Sequence, residues 1–308
     1  MSLNLHHLRL FDAIVEHGGF TRAARVLQLS QPALSKALGE LERTVGLPLL
    51  DRTGRTTRLT QAGEALHARA REIFGVEQAA EQELRELRGL ERGVLRVGGS
   101  TTVATYLLPQ LLGRFHARHP RVDIRAASAN TRTVVRMLLE WRIDFALVGG
   151  PVSHARVETR PWMDDELIVI AAPDHPLADG HATTVASLAT ELFIVRERGS
   201  LTREIAERAL AERGVALRRT LRVAGTEAIK QSVAAGLGVA IVSRAAAADQ
   251  LSLGRLAIVR VSGLAIRRVI SLLRLRGRIP TASGRAFEEL LEQASTDQSV
   301  ADASGHPG

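Results

Sequence analysis

Three features of this 308-residue chain predict an all-α N-terminal unit, a long linking helix and a two-lobed α/β C-terminal unit. Short apolar stripes of helical spacing occupy residues 1–60. A single narrow stripe continues through 61–89. From Gly93 onward a strand-then-helix rhythm runs twice, the pattern of mostly parallel α/β sheets. The length suits two compact domains, and a hydrophobic content of 45% supplies their cores. The expected boundaries are 1–60, 61–89, 90–295 for the two-lobed unit, and 296–308 as a polar tail without regular structure.

Within the first unit, Leu8, Phe11, Ile14 and Val15 form a helical stripe that stops at Gly18-Gly19. Thr21 to Leu27 gives a second, short helix, and "QLS" leads into a third, "QPALSKALGELERTVG". At about 100° per residue, Leu34, Ala37, Leu38, Leu41 and Val45 fall on one side of it. Pro32, Ser35, Lys36, Gly39 and Arg43 fall on the other. Ser30 suits the N-cap, and Pro32 lies in the first turn, where a missing N–H breaks no intrahelical bond. Two helices joined by a tight turn describe a helix-turn-helix. "LPLLDRTGRTTRLTQAG" then reads as a short two-stranded wing around Thr53-Gly54.

Thr60 caps the long helix, where Ala62, Leu66, Ala70, Ile73, Val76, Ala80, Leu84 and Leu87 recur every three or four residues. A helix of roughly 40 Å with so narrow a stripe predicts a partner helix and a dimer, with Leu66, Ile73, Ala80 and Leu84 in the seam.

"VLRVGGS", "DIRAASAN" and "FALVGG" mark the strands of a first lobe. "ELIVIAAP", "ELFIVRERGS", "TLRVAG" and "VAIVSR" mark those of a second, and "RRVISLLRLRG" with the helix near Arg285 returns to the first. Asp164-Asp165-Glu166 reads as a solvated turn before a strand.

The chain has no cysteine, which excludes disulfides and thiolate metal sites. His116 and His119 sit three apart on a helix without an acidic partner nearby and read as surface residues, so neither a metal nor a cofactor is expected. "GLGVA" at Gly236 lacks the context of a dinucleotide loop. No apolar run is long enough to span a bilayer, and "MSLNLHHLRL" lacks the pattern of a signal peptide, so a cytoplasmic protein is expected. The net charge of +8 favours a polyanionic partner. Residues 1–60 carry eight Lys or Arg against five acids, a mildly basic balance. Lys36 and Lys230 are the only lysines in an arginine-dominated chain, read here as composition bias.

Two candidate sites emerge. The polar face of the third helix carries no acid, and Gln31, Pro32, Ser35, Lys36 and Arg43 would meet base edges and backbone in a major groove, with Arg52 and Arg55 of the wing on phosphates. The same face also suits a plain helical scaffold. The second site gathers hydroxyls and amides where helices follow strands: Ser100-Thr101-Thr102, Asn130-Thr131, Ser200 with Thr202, and Thr226. Free N–H groups at such starts favour an anion, and Arg196 would add full charge. Simple N-capping explains any one of these junctions taken alone.

The segment "LRLFDAIVEHGGFTRAARVLQLSQPALSKALGELERTVGLPLLDRTGRTTRLTQAG" resembles, nearly position for position, the N-terminal winged helix-turn-helix of LysR-type transcriptional regulators. The order that follows, a long linker helix and a two-lobed domain similar to type II periplasmic binding proteins, extends the resemblance over almost the whole chain. It implies recognition-helix roles for Gln31, Pro32, Ser35 and Lys36 and wing roles for Arg52 and Arg55. Gly19 and Leu50 stand where serine and phenylalanine are usual. "GGSTTVATYLLP" with "RERGSLTR" resembles the sulfur-assimilation and carbon-fixation branch, whose pockets receive small anions, although Arg198 and Leu201 replace a usual proline and glycine. The implied partners are double-stranded promoter DNA, a small anionic effector, a second copy in a homodimer or homotetramer, and RNA polymerase, without a membrane. For the C-terminal half alone, a solute-binding protein or a small-molecule enzyme is the alternative.

Overall fold

The computed structural model describes residues 2–51, 57–87 and 93–304, and the chain divides into two compact units, Met1–Glu81 and Gln82–Gly308. Arg52, Arg55 and the Thr53-Gly54 turn lie outside the described residues, as does the side chain of Leu87.

The first unit holds α1 (Leu5–Glu16), α2 (Phe20–Leu27), α3 (Gln31–Val45), β1 (Leu50–Asp51), β2 (Arg58–Leu59) and most of α4 (Gln61–Leu87). The predicted caps form. Ser30 accepts from the Ala33 amide at 3.3 Å, and Pro32 sits in the first turn of α3. Thr60 accepts from the Gly63 amide at 3.0 Å and donates to the Pro48 carbonyl at 2.7 Å, tying the start of α4 to the wing. β1 and β2 pair antiparallel, Leu50 opposite Leu59. Leu8, Phe11, Leu34, Leu38, Leu41 and Leu49 are fully enclosed.

The stripe on α4 divides in two. Ala70 and Phe74 are buried in the core of the first unit, with Leu66 packed partly against it. Ile73, Val76, Ala80 and Leu84 are exposed. Asp12 of α1 meets His67 at 3.1 Å and Arg71 at 3.5 Å, and Arg71 also pairs with Glu16. Gly63 is required for this packing, because a Cβ there would lie 2.0 Å from the Leu49 carbonyl oxygen. The predicted separate segment 61–89 therefore belongs to the first unit as far as Glu81.

The second unit opens with β3 (Val94–Ser100), α5 (Thr101–Tyr106), α6 (Leu108–Arg118), β4 (Asp123–Ala129), α7 (Thr131–Leu139), β5 (Phe145–Gly149) and β6 (Val157–Ala171). It continues through β7 (Leu192–Arg196), α8 (Leu201–Ala211), β8 (Arg219–Val223), α9 (Thr226–Ala234), β9 (Ala240–Ser243), α10 (Arg244–Ser252), β10 (Ala257–Val259), β11 (Ile266–Leu275) and α11 (Ala282–Ser304). The parallel pairing expected of the sheets holds for β4–β3–β5 and for β7–β8. It does not hold elsewhere: β6 pairs antiparallel with β9, β10 and β11, and β11 antiparallel with β5. β6 and β11 run together from Leu167 opposite Ile266 to Val157 opposite Leu275, so these two strands pass through both lobes and join them. One lobe packs around Leu95, Phe115, Phe145 and Phe287, the other around Val169, Phe193, Leu210 and Val239.

Two sequence expectations need correction, and one element was not foreseen. The helix expected around Tyr106 to Arg118 is α6, and the short α5 ahead of it, parted from it at Leu107, was not expected. Asp164-Asp165-Glu166 is no turn but the middle of β6, with Asp165 buried. The polar tail expected to lack structure is helical to Ser304, since α11 meets neither glycine nor proline after Gly284 until Gly305. Among the described residues, no helix is long and apolar enough to cross a membrane, and no group of His, Asp and Glu could hold a metal ion.

Candidate DNA-binding face and effector site

α3 presents Gln31, Pro32, Lys36 and Arg43 to solvent and keeps Ser35 half-buried. Thr21 of α2 donates to the Gln31 amide oxygen at 3.4 Å, fixing how the start of α3 meets the turn. Nothing lies within 4 Å of a Cβ built on Gly39, so the middle of this face is open to close approach. Arg58 of β2, on the described part of the wing, is exposed.

The second unit brings the helix starts together between its lobes. Ser100, Thr102, Thr131, Arg196, Ser200, Thr202 and Thr226 are all buried, and Thr101 and Asn130 half-buried. From the first lobe Thr102 meets Thr226 of the second, hydroxyl to hydroxyl, at 3.0 Å. The Arg132 amide donates to the Gly199 carbonyl at 3.3 Å, and the Asn130 side chain to the Arg198 carbonyl at 3.4 Å. N-capping accounts for Asn130, which accepts from the Thr133 amide at 3.0 Å. It does not account for Ser100 or Ser200, whose side chains make no capping bond. Thr101 donates to the Ala129 carbonyl at 3.2 Å.

Arg196 does not stand as a free charge. Its Nε and Nη2 donate to the two carboxylate oxygens of Glu197 at 2.8 and 2.7 Å, and its Nη1 donates to the Thr226 hydroxyl at 2.9 Å. The Gly225 amide, ahead of α9, also donates to Glu197, at 3.4 Å. Burial pushes the Glu197 carboxyl up, but the Arg196 bonds and charge outweigh it and hold the group below the usual carboxylate range.

A second buried guanidinium lies deeper. Arg268 of β11 donates to Asp165 of β6 at 2.7 Å, to the Thr202 hydroxyl at 2.6 Å and to the Gly149 carbonyl at 3.4 Å, while Ser243 donates to Asp165 at 2.6 Å. Gly149 makes room for it, since a Cβ there would lie 2.6 Å from the guanidinium carbon. Burial lowers the pKa of Arg268, Asp165 opposes that, and repulsion from Arg196 adds to it. At the mouth, Tyr106 of the first lobe donates to Glu227 of the second at 2.7 Å, and the Lys230 ammonium lies 3.0 Å from the same carboxylate and 4.6 Å from the Tyr106 ring centre. Burial and the bond to Glu227 raise the Tyr106 pKa. Burial also pushes Glu227 up, but hydrogen bonds from Tyr106, Lys230 and Gln231 prevail and lower it.

Sequence reasoning missed Tyr106, Asp165, Glu197, Glu227, Lys230, Ser243 and Arg268. Two of them left a trace: Glu197 stands beside Arg196 in "RERGS", and Lys230 is one of two lysines among 41 Lys and Arg residues.

A helix-turn-helix unit joined to a two-lobed α/β unit, with buried hydroxyls and guanidiniums gathered at the interlobe seam, defines the class of DNA-binding regulators that carry a small-molecule domain. Residues 5–64 match the bacterial regulatory helix-turn-helix protein of the lysR family, and residues 88–296 match the LysR substrate binding domain. The chain belongs to the LysR family of transcriptional regulators. It is 39% identical over 303 residues to a RuBisCO operon transcriptional regulator of Allochromatium vinosum, covering 96% of this chain and 98% of that one. The regulatory domain of CcmR from Synechocystis PCC6803, solved in complex with 2-PG, superposes with a TM-score of 0.63 at 28% identity, over 67% of this chain and 98% of that one. Full-length CbnR complexed with its target DNA shares the fold, with a TM-score of 0.68 at 24% identity over 95% of this chain and 100% of the other.

Proposed function

We propose that this regulator binds promoter DNA as a homo-oligomer through α3, with Gln31, Pro32, Ser35, Lys36 and Arg43 on the groove and Arg52 and Arg55 of the wing on phosphates, and that a small anion held at the interlobe seam sets its activity. The observation that carries the effector half is the convergence of buried hydroxyls on helix starts beside two buried guanidiniums, with Ser100 and Ser200 not engaged in capping. The anion is held by Ser100, Thr102, Thr131, Ser200, Thr202 and Thr226 with Arg196, while Thr101 and Asn130 shape the junctions. Occupancy favours one lobe arrangement over another and so shifts the population of DNA-binding arrangements. RNA polymerase is the further partner, and the cytoplasm the place of action. An enzyme reading needs a free base, and the three carboxylates of the seam are each held by a cation. A solute-binding reading leaves the helix-turn-helix unit without a role. The similar CcmR domain was solved with 2-PG, so that compound belongs among the first to be tried here.

Operator binding tests the DNA half. Ser35→Ala should relax discrimination between operator and unrelated DNA by about ten-fold, given roughly 1 to 3 kcal/mol for a good base contact. Lys36→Ala should weaken both and reduce the salt slope by about one. Salt titrations in which both variants match the wild type would remove α3 from the interface.

A further inference from the structure

We infer that Glu197 is the resident competitor of the effector, its carboxylate occupying the position on Arg196 that an incoming anion must take. The inference rests on the anion reading above and adds which group gives way.

The guanidinium of Arg196 is 5% exposed, and its two parallel bonds to Glu197 are the fork geometry with which arginine holds a carboxylate or phosphate. Around that same carboxylate stand the donors an anion would use: the Gly225 amide, and Thr226, which Arg196 itself holds in place. The pairing on Arg196 makes displacement necessary. Arg196, Arg268 and Lys230 are each matched by one carboxylate, Glu197, Asp165 and Glu227. Two nitrogens of the Arg196 guanidinium are engaged by Glu197 and the third by Thr226, so an anion grips this guanidinium in fork geometry only where Glu197 can leave.

The three carboxylates differ in their freedom to do so. Asp165 is 4% exposed and is fixed by Arg268 and Ser243, so it has no water to move into. Glu227 is 53% exposed but is held by Tyr106 across the lobes and by Lys230 on its own helix. Glu197 is 24% exposed, follows Arg196 directly and precedes Gly199, whose φ of +85° marks a turn. Rotation of its side chain toward solvent frees two N–H groups of a buried guanidinium without moving the backbone. The device sets a threshold: an anion must hold Arg196 better than a tethered carboxylate does, which favours compact tetrahedral or bidentate anions over halides.

Isothermal titration of the full-length protein with inorganic phosphate and with sulfate, at constant ionic strength, tests this. Glu197→Gln should bind at least one of the two about ten-fold or more tighter than the wild type, about 1.4 kcal/mol. Glu197→Asp, too short for the two-pronged grip, should fall between and serves if the glutamine variant does not fold. Equal or weaker binding by both variants, with the wild type still responding, overturns the competitor role and leaves the anion reading standing. If wild type and variants all ignore phosphate and sulfate, the competitor role is overturned, while the anion reading stands or falls on the wider panel of anions.

Discussion

Asp165 and Arg268 show what single residues contribute at the seam. Both side chains are nearly inaccessible, at 4% and 2%. Desolvation of such a pair is offset only by good geometry and hydrogen bonding; Ser243 and Thr202 supply part of it, while Arg268 Nη2 faces Asp165 as an ion pair without a hydrogen bond. The pair joins β6 to β11, the strands common to both lobes, and its far hydroxyl is Thr202 at the start of α8. Acid should act on the more accessible groups. Glu197 and Glu227 have folded-state pKa values below their ordinary ones. Their stabilisation is therefore complete above the unfolded value of about 4.3 and lost as pH falls through the lower folded values. Melting temperatures taken from pH 6 to about pH 3 should drop across that window, and Glu197→Gln should show a shallower drop. A wild-type profile flat over the range would deny these carboxylates a stabilising role.

The hydroxyls of the seam were legible in the sequence because Ser or Thr ahead of an amphipathic run is a local signal. The Asp165–Arg268 pair was not. Its members stand 103 positions apart, and three acids in a row look like a solvated turn when nothing local declares that a strand continues through them.

Among the elements, α4 is the one on which the proposed self-association rests. Its buried line, Ala70 and Phe74 with Leu66 partly covered, serves its own domain. The exposed line holds Ile73 at 37%, Val76 at 57% and Leu84 at 61% accessibility, with Ala80 between them. Spacing alone merged these two lines, since residues three and four apart drift round the helix and both were apolar. Leu66→Asp would strike the packing of the first unit itself and confuse unfolding with dissociation. Ile73→Asp and Leu84→Asp place charge on the open line. Sedimentation velocity should show each variant at lower mass than the wild type, with operator affinity reduced because two half-sites are no longer held together. An unchanged oligomer in both would exclude this face as the seam. The helix itself was legible from its stripe and Thr60 cap, as were α1 and α2 from their apolar residues and the glycine break between them, and α3 from its stripe and Ser30 cap. The antiparallel course of β6 and β11 was not, because it depends on pairing between strands distant in sequence.

At the scale of the whole molecule, the proposed function couples a chemical signal to promoter occupancy. A ligand that prefers one lobe arrangement shifts DNA affinity by the same factor by which DNA shifts ligand affinity. Thermal stabilisation of the full-length protein across a ligand panel tests the central claim most directly. The panel sets sulfate, phosphate, sulfite, dicarboxylates, phosphorylated metabolites and 2-PG beside neutral sugars and neutral aromatics. With 3% aromatic residues, the chain has little from which to build a stacking platform. Loss of one hydrogen bond to a charged ligand costs about 1.5 to 3 kcal/mol. At least one anion should therefore raise the melting temperature, and Ser200→Ala and Thr102→Ala should each need about ten-fold more of it for the same shift. Stabilisation by neutral compounds alone, or variants that respond like the wild type, would contradict the account.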